Sequence, residues 1–352
     1  MTERAPLLST KLHAPSGRDS RVRRERLTQR LSGRDRLVLA AAPAGFGKTS
    51  VLAEWLDDVP GRVAWLSLDE RDDDPAQFWP YVLAAVDSAR EGLARGAAEA
   101  LANGSPTEAA LATLLNDIQD QGDEIFLVLD DLHVIRNPAI FEGIAFLLDH
   151  LPANARLVIA TRVDPPLPVA RLRAKGELVE LRAADLRFTP SEISQYVNGA
   201  MGLSLESDDL LALGDRTEGW IAALQLAALS LQGRSDASRF ISRFAGDDRF
   251  VVDYLIEEVL QRQPEANRSF LLATSVLERL SGALCDAVTE GDGAASMLDS
   301  LDRANLFLVP LDDHREWYRY HHLFAEMLRA RLLDEQPGAV DELHLRASRW
   351  FE

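Results

Sequence analysis

Arg36–Thr49 reads RLVLAAAPAGFGKT: a short apolar run, a turn holding two glycines, and a Lys-Thr pair. Arg36–Ala42 has the look of a buried parallel strand, which carries apolar residues on both faces. Thr49–Leu56 reads as helix. Ala42–Thr49 therefore has Walker A spacing in a strand–turn–helix setting, with Ala42 in place of the first Gly. The turn survives that change if Ala42 keeps an ordinary backbone angle, because Gly45 and Gly47 supply the freedom the bend needs. Successive N–H groups of such a turn, continued by the helix N-terminus, form a nest for anions. Lys48 is placed to reach β- and γ-phosphates, and the Thr49 hydroxyl to ligate Mg²⁺.

Working outward, apolar runs recur at Arg62–Leu68, Ile125–Leu129, Arg156–Ala160 and, more weakly, Leu178–Leu181. Helical stretches separate them, among them Gln77–Leu93, a segment after the break at Asn103–Pro106, and one near Pro138–His150. Strands alternating with helices over about 180 residues indicate a parallel α/β sheet. Beyond Phe188 the pattern turns helical. Thr189-Pro190-Ser191-Glu192 is a helix start with cap, proline and capping glutamate in order. Leu306–Leu311 and Trp317–Tyr320 flank the turn Asp312–Arg315, a hairpin between helices, as in a winged helix. The expected division is 1–187 for a P-loop nucleotide-binding domain, 188–245 for a helical subdomain, 246–335 for a winged helix, and 336–352 for the start of a further helical region.

Composition narrows the class. The chain has 352 residues, 47% hydrophobic and 27% charged, enough for two or three domains. The single cysteine, Cys285, excludes an intrachain disulfide or a cysteine-based zinc site, and in SGALCDAV it reads as core. The net charge of −18 argues against a nucleic-acid-binding face spread over the whole chain. Residues 1–36 hold ten Lys/Arg against four Asp/Glu, so that leader carries +6 and the rest −24. Leu27 and Leu31 within it stand at helical spacing, and the basic charge suits a place beside an anionic nucleotide. No apolar run reaches the roughly 18 to 20 residues of a spanning helix, and the N-terminus lacks a secretory layout, so no membrane partner and a cytoplasmic address are expected.

Two further stretches complete the chemistry. FLVLDD at Phe126–Asp131 is an apolar strand ending in acids, the Walker B pattern. Asp130 is the candidate to hold the magnesium ion through water, and Asp131 to orient or deprotonate the attacking water. Arg162, closing the fourth strand in Ala160-Thr161-Arg162, is a candidate sensor of the terminal phosphate. His133 follows in the loop after Asp131. The acids of Asp69–Asp74 read as a helix entry.

Thr10-Lys11-Leu12, Val22-Arg23-Arg24, APAGFGKTS, AWLSLDERDDDPAQFWPYV, VLDDLH, ATR, TEGW and YRYHHLF occur in this order. Together they resemble the MalT-type ATP-dependent LuxR-family regulators, of the STAND class of signal-transduction ATPases, over nearly the whole chain. The resemblance implies an α/β P-loop NTPase followed by a helical subdomain and a winged helix, binding ATP or ADP with Mg²⁺. It implies a slow ATPase acting as a switch, in which hydrolysis resets an ADP-bound closed state. It also implies self-association when ATP-bound in the full-length protein, with inducer and DNA handled by C-terminal domains outside this chain. A fragment of a longer regulator is expected, with Leu343, Leu345, Trp350 and Phe351 exposed on its last helix.

By position, Ala44, Gly45, Phe46, Gly47, Lys48, Thr49 and Ser50 resemble the phosphate loop, and Val22 and Arg24 resemble the segment lining the adenine site. Trp220 resembles the helical subdomain's nucleotide contact, although Ile221 stands where that motif has Pro. His321 resembles the winged-helix histidine that meets the ADP β-phosphate. The competing classes are a P-loop kinase or motor-type ATPase with real turnover, and a binding scaffold with a degenerate P-loop. The basic residues Arg329 and Arg331 share their helix with Glu326 and precede Asp334, which favours a structural winged helix over a DNA reader.

Overall fold

The computed structural model describes Leu7–Pro15, Val22–Arg234, Asp236–Phe244, Gly246 and Asp248–Glu352. Part of the basic leader, residues 16–21, lies outside the described residues. By contacts the chain forms two units. The first comprises residues 1–18, 23–42 and 47–185; the second comprises residues 19–22, Pro43–Phe46 and Leu186–Glu352.

The first unit is built on five parallel strands: β1 (Leu37–Ala41), β2 (Arg62–Ser67), β3 (Ile125–Asp130), β4 (Ala155–Thr161) and β5 (Leu178–Arg182). Their order in the sheet is β2-β3-β4-β1-β5. β1 thus runs between β4 and β5, with Ala41 level with Thr161 and Arg182. Every residue of β1 and β3 is buried, which is why these segments are uninterrupted apolar runs. Their C-terminal ends bring the P-loop and the Asp130-Asp131 pair to one edge of the sheet.

The acidic stretch after β2 is consumed by helix entries. Asp69 and Asp72 form a reciprocal capping box, and Asp74 caps the helix Pro75–Ala89 by accepting from the Ala76 N–H. Asp72 is buried, and its carboxylate takes the Lys11 ammonium at 2.5 Å, with Asp69 at 3.1 Å. Burial works against the charge on Lys11, yet Asp72 and Asp69 together hold its pKa above the usual value. Lys11 also lies over the Tyr81 ring. The long helix ends at Ala89, short of the expected Leu93: Arg90 is already extended, at φ −151°, and Gly92 then turns the chain at φ 82°; a separate helix, Arg95–Ala102, follows.

The second unit is helical apart from a hairpin. The capping box Thr189–Glu192 opens its first helix. Strands β6 (Leu308–Pro310) and β7 (Tyr318–Tyr320) pair antiparallel, and the helix His322–Glu335 follows. The basic residues of that helix are occupied: Arg329 donates to the Ser275 carbonyl at 2.7 Å, and Arg331 pairs with Glu335. Glu326 accepts from the Gly246 N–H at 2.6 Å.

On the last helix, Val340–Phe351, Leu345, Trp350 and Phe351 are exposed, but Leu343 is buried, against the expectation. That side of the helix packs on Gly282–Thr289, where Arg346 donates to the Val288 carbonyl and pairs with Glu290. Cys285 is buried in the same helix, and burial pushes its thiol up to about 12, which leaves it unreactive. Among the described residues, no helix is long and apolar enough to cross a membrane.

Candidate functional site

The turn after β1 bends through two left-handed glycines, Gly45 at φ 73° and Gly47 at φ 77°, while Ala42 stays out of that region. Gly47 caps the helix Lys48–Asp57. The N–H groups of Gly45, Phe46 and Gly47 donate to no protein acceptor among the described residues. A helix N-terminus preceded by a row of unused donors is the arrangement that holds anions.

In the first unit the charged groups gather behind this turn. Lys48 is buried and donates from Nζ to the Ala42 carbonyl at 2.8 Å. Burial pulls its pKa down to about 8; Asp131 and Asp130 oppose that and Arg162 adds to it. The Thr49 hydroxyl donates to Asp130 Oδ1 at 2.9 Å. Burial, then the neighbouring Asp131 charge, pushes Asp130 up to about 7 despite the Thr49 hydrogen bond. Asp131 is partly exposed, sits at φ 59°, and has His133 Nδ1 3.7 Å away. A buried carboxylate driven toward neutrality beside a hydroxyl is the donor set of a hard cation, which would restore its charge. Anionic phosphate near Lys48 would do the same for the ammonium. The residues present therefore fit Mg²⁺ and a polyphosphate.

Ser50 is exposed one residue further along the helix. Arg24 is buried, and its backbone N–H donates to Glu54 Oε1 at 2.8 Å, which ties this segment to the helix Lys48–Asp57. Val22 is half-buried and groups with the second unit.

The second unit holds the remaining tip of the turn. The Ala44 carbonyl accepts from Trp220 Nε1 at 3.1 Å, and the Gly45 carbonyl accepts from the Ala222 N–H at 3.2 Å. A Cβ on Gly45 would fall 2.6 Å from Ala222 Cβ and 2.7 Å from the Tyr254 hydroxyl, so packing and backbone both demand glycine. Trp220, wholly buried, caps the helix Ile221–Leu231 and has Phe46, Tyr254, Phe307 and His321 around its ring. Phe307 holds φ 55°, a conformation costly for a bulky residue, and its carbonyl accepts from the His321 N–H at 2.8 Å.

His321 is buried, with Nε2 3.1 Å from the Thr217 carbonyl. Burial lowers its pKa to about 4; Glu218 opposes this, and Arg187 and His322 reinforce it. Glu218, next to Thr217 at φ 49°, accepts from both Nη atoms of Arg319 at 2.8 and 2.9 Å and from Arg187 at 3.0 Å. Burial raises its pKa, but Arg319 and the His321 field outweigh that and bring it to about 2. Glu218, Arg319 and Phe307 have no role in the sequence reading. Glu218 and Arg319 sit inside the TEGW and YRYHHLF stretches, so their positions were marked; nothing local marks Phe307.

A stability prediction follows from His321. Its folded pKa lies below the unfolded 6.5, so the unfolded chain binds more protons between those values. Stability is complete above pH 6.5, falls as pH drops toward 4, and levels below it; about 3 kcal/mol is lost across that window. Glu218 acts lower, from 4.5 down to 2. Asp130, whose folded pKa is raised to about 7, works the opposite way over the same window. Urea unfolding at pH 7.5 and 4.5 therefore reads the His321 contribution as a difference: His321→Gln, which stays neutral, is expected to keep more of its stability at pH 4.5 than wild type does.

Comparison with known proteins adds the following. A family model described as the MalT winged helix domain matches residues 256–340. The HTH-type transcriptional regulator MalT of Klebsiella pneumoniae is 37% identical over 349 residues, 97% of this chain and 38% of that protein. The serine/threonine-protein kinase PknK of Mycobacterium tuberculosis is 35% identical over 353 residues, 98% of this chain and 32% of its own length. The chain thus spans about a third of the length of the curated relatives it matches, 38% of MalT and 32% of PknK. A Walker-type ATPase of Pyrococcus abyssi shares the fold, with TM-score 0.58 at 15% identity over 87% of this chain and 95% of that one. The chain therefore has a P-loop ATPase fold, matches the MalT winged helix domain over residues 256–340, and is similar in sequence to the MalT regulators and to PknK along nearly its whole length.

Proposed function

We propose that this MalT-type chain is the ATP/ADP-binding switch module of a transcriptional regulator, in which slow ATP hydrolysis resets an ADP-bound resting state. The observation that carries the reading is the row of unused N–H groups at Gly45–Gly47, leading into a helix that opens with buried Lys48 and with Thr49 bonded to Asp130. The matched relatives support a module rather than a whole enzyme, because a regulator and a protein kinase share this stretch.

In this reading residues 1–187 bind nucleotide, 188–245 form a helical subdomain, 246–335 the winged helix and 336–352 the entry to a further region. Thr49 and Asp130 hold Mg²⁺, which when bound neutralises phosphate charge. The loop residues Ala44–Ser50 and Lys48 in particular cradle the phosphates, Val22 and Arg24 line the base, and Trp220 and His321 contact the nucleotide. Asp131 orients the attacking water and Arg162 reads the terminal phosphate. Self-association with ATP, and recognition of inducer and DNA, belong to the full-length protein.

Turnover decides the matter. The purified chain is expected to bind ADP and to hydrolyse ATP at well below about 1 per second, under the range typical of enzymes. Steady hydrolysis near 10 per second would transfer the assignment to a kinase or motor. Asp131→Asn should lower the residual hydrolysis by about a hundredfold while ADP affinity changes no more than a few-fold, as for loss of a general base.

A further inference from the structure

In the second unit, Nδ1 of His321 is buried without a hydrogen-bond partner among the described residues. The opposite ring nitrogen, Nε2, faces the Thr217 carbonyl at 3.1 Å. A carbonyl oxygen only accepts, so Nε2 carries the proton. In the neutral ring Nδ1 is then a bare acceptor. The oxygens of an ionised phosphate are also acceptors. An Nδ1–phosphate contact therefore requires a second proton and a positively charged ring.

The groups around the ring determine whether that proton is held. Glu218 follows Thr217 directly, and its buried carboxylate is fixed by Arg319 from β7, by Arg187, and by the His322 backbone N–H at 3.1 Å. His322 Nδ1 lies 3.5 Å from the same carboxylate. The ring's other close neighbours, Trp220 and Phe307, are uncharged, and Tyr254 lies beyond Trp220. Without an anion, burial above all, with the positive charge of Arg187, keeps the imidazole neutral. A phosphate would reverse the local field, with Glu218 already in place as counter-charge.

We propose that Glu218 is a positioning residue for the nucleotide, supporting a proton that His321 takes from solvent as its Nδ1 meets the ADP β-phosphate, so that ADP binding and proton uptake are linked. This rests on the reading of His321 as a phosphate contact. No covalent bond changes: one proton leaves the buffer, settles on Nδ1, and is donated to a phosphate oxygen. The switch then senses pH as well as nucleotide, with ADP held more tightly as pH falls.

Titration calorimetry of the whole chain with Mg²⁺ and ADP, between pH 7 and 8.5 in buffers of different ionisation enthalpy, tests this. Wild type is expected to take up between half and one proton and to lose up to about tenfold in affinity per pH unit, the limit for one linked proton. His321→Gln should bind more weakly at pH 7 and take up between half and one proton fewer than wild type, keeping only the exchange that Lys48 and Asp130 supply as phosphate and Mg²⁺ recharge them. Glu218→Gln, checked for folding by thermal melt, should lose affinity increasingly as pH rises; a merely structural part would weaken binding equally at every pH. Wild type with tight ADP binding and the same proton uptake as His321→Gln overturns the proposal, and a weakened His321→Gln in that case still leaves the phosphate contact standing. If His321→Gln binds ADP like wild type, the phosphate contact falls and the linkage with it. His321→Gln is checked for folding by the same melt, and its titration is read against wild type at each pH.

Discussion

Replacing Lys48 with alanine is expected to weaken ADP and ATP binding by about a thousandfold, roughly 4 kcal/mol, the sum of two charge-assisted hydrogen bonds to phosphate. The magnitude follows from where the ammonium sits. It is buried, so each bond it makes is little screened, and its pKa near 8 leaves it mostly charged at neutral pH. Its Nζ is already aimed along the turn by the Ala42 carbonyl, so little ordering is left for the ligand to impose. The fold itself should lose at most about 1 kcal/mol, because the charge-assisted bond to the Ala42 carbonyl is largely offset by the cost of burying the ammonium, which alanine removes. Calorimetry with ADP, alongside a melt, separates the two. Affinity within about fivefold of the parent would mean a degenerate loop and a scaffold, and the switch reading would be abandoned.

Trp220→Ala is expected to cost about 3 to 5 kcal/mol of stability, the usual range for deleting a buried aromatic. The ring has no exposed surface and is bounded by Phe46, Tyr254, Phe307 and His321, so its removal opens a cavity that three rings and an imidazole cannot all fill. Trp220→Phe should cost less, about 1 to 2 kcal/mol, because it keeps most of the packing and loses the donor to the Ala44 carbonyl. Urea unfolding monitored by far-UV circular dichroism gives both. A cost below about 1 kcal/mol for the alanine variant would show that the cluster is not a core in the sense used here.

Local chemistry was legible in the sequence; long-range pairing was less so. Arg36–Thr49 shows its strand and helix by periodicity, and its two glycines by the φ the turn requires. Thr189-Pro190-Ser191-Glu192 shows its cap because all the partners lie within four residues. The helix after Asp74 was read too long because Phe78, Tyr81, Val82 and Ala85 continue in phase toward Leu93, although Gly92 marked the turn. Leu343 reads as surface in the sequence because the helix that covers it, Gly282–Thr289, lies far upstream, a distance periodicity does not cross. The same holds for the second half of the candidate site. Glu218 and Arg319 are separated by 101 positions, and the left-handed Phe307 is imposed by the packing around it.

Lys11 has a practical bearing on where a minimal version of this module begins. A boundary drawn back from the phosphate loop to the helix Glu25–Leu31 would look natural, since that helix leads directly into β1. It would also discard the cation that neutralises Asp72 inside the protein. The smallest autonomous folding piece therefore starts ahead of Thr10, and a truncation series should find its sharp loss of soluble product between residues 7 and 12, well before it reaches the nucleotide loop.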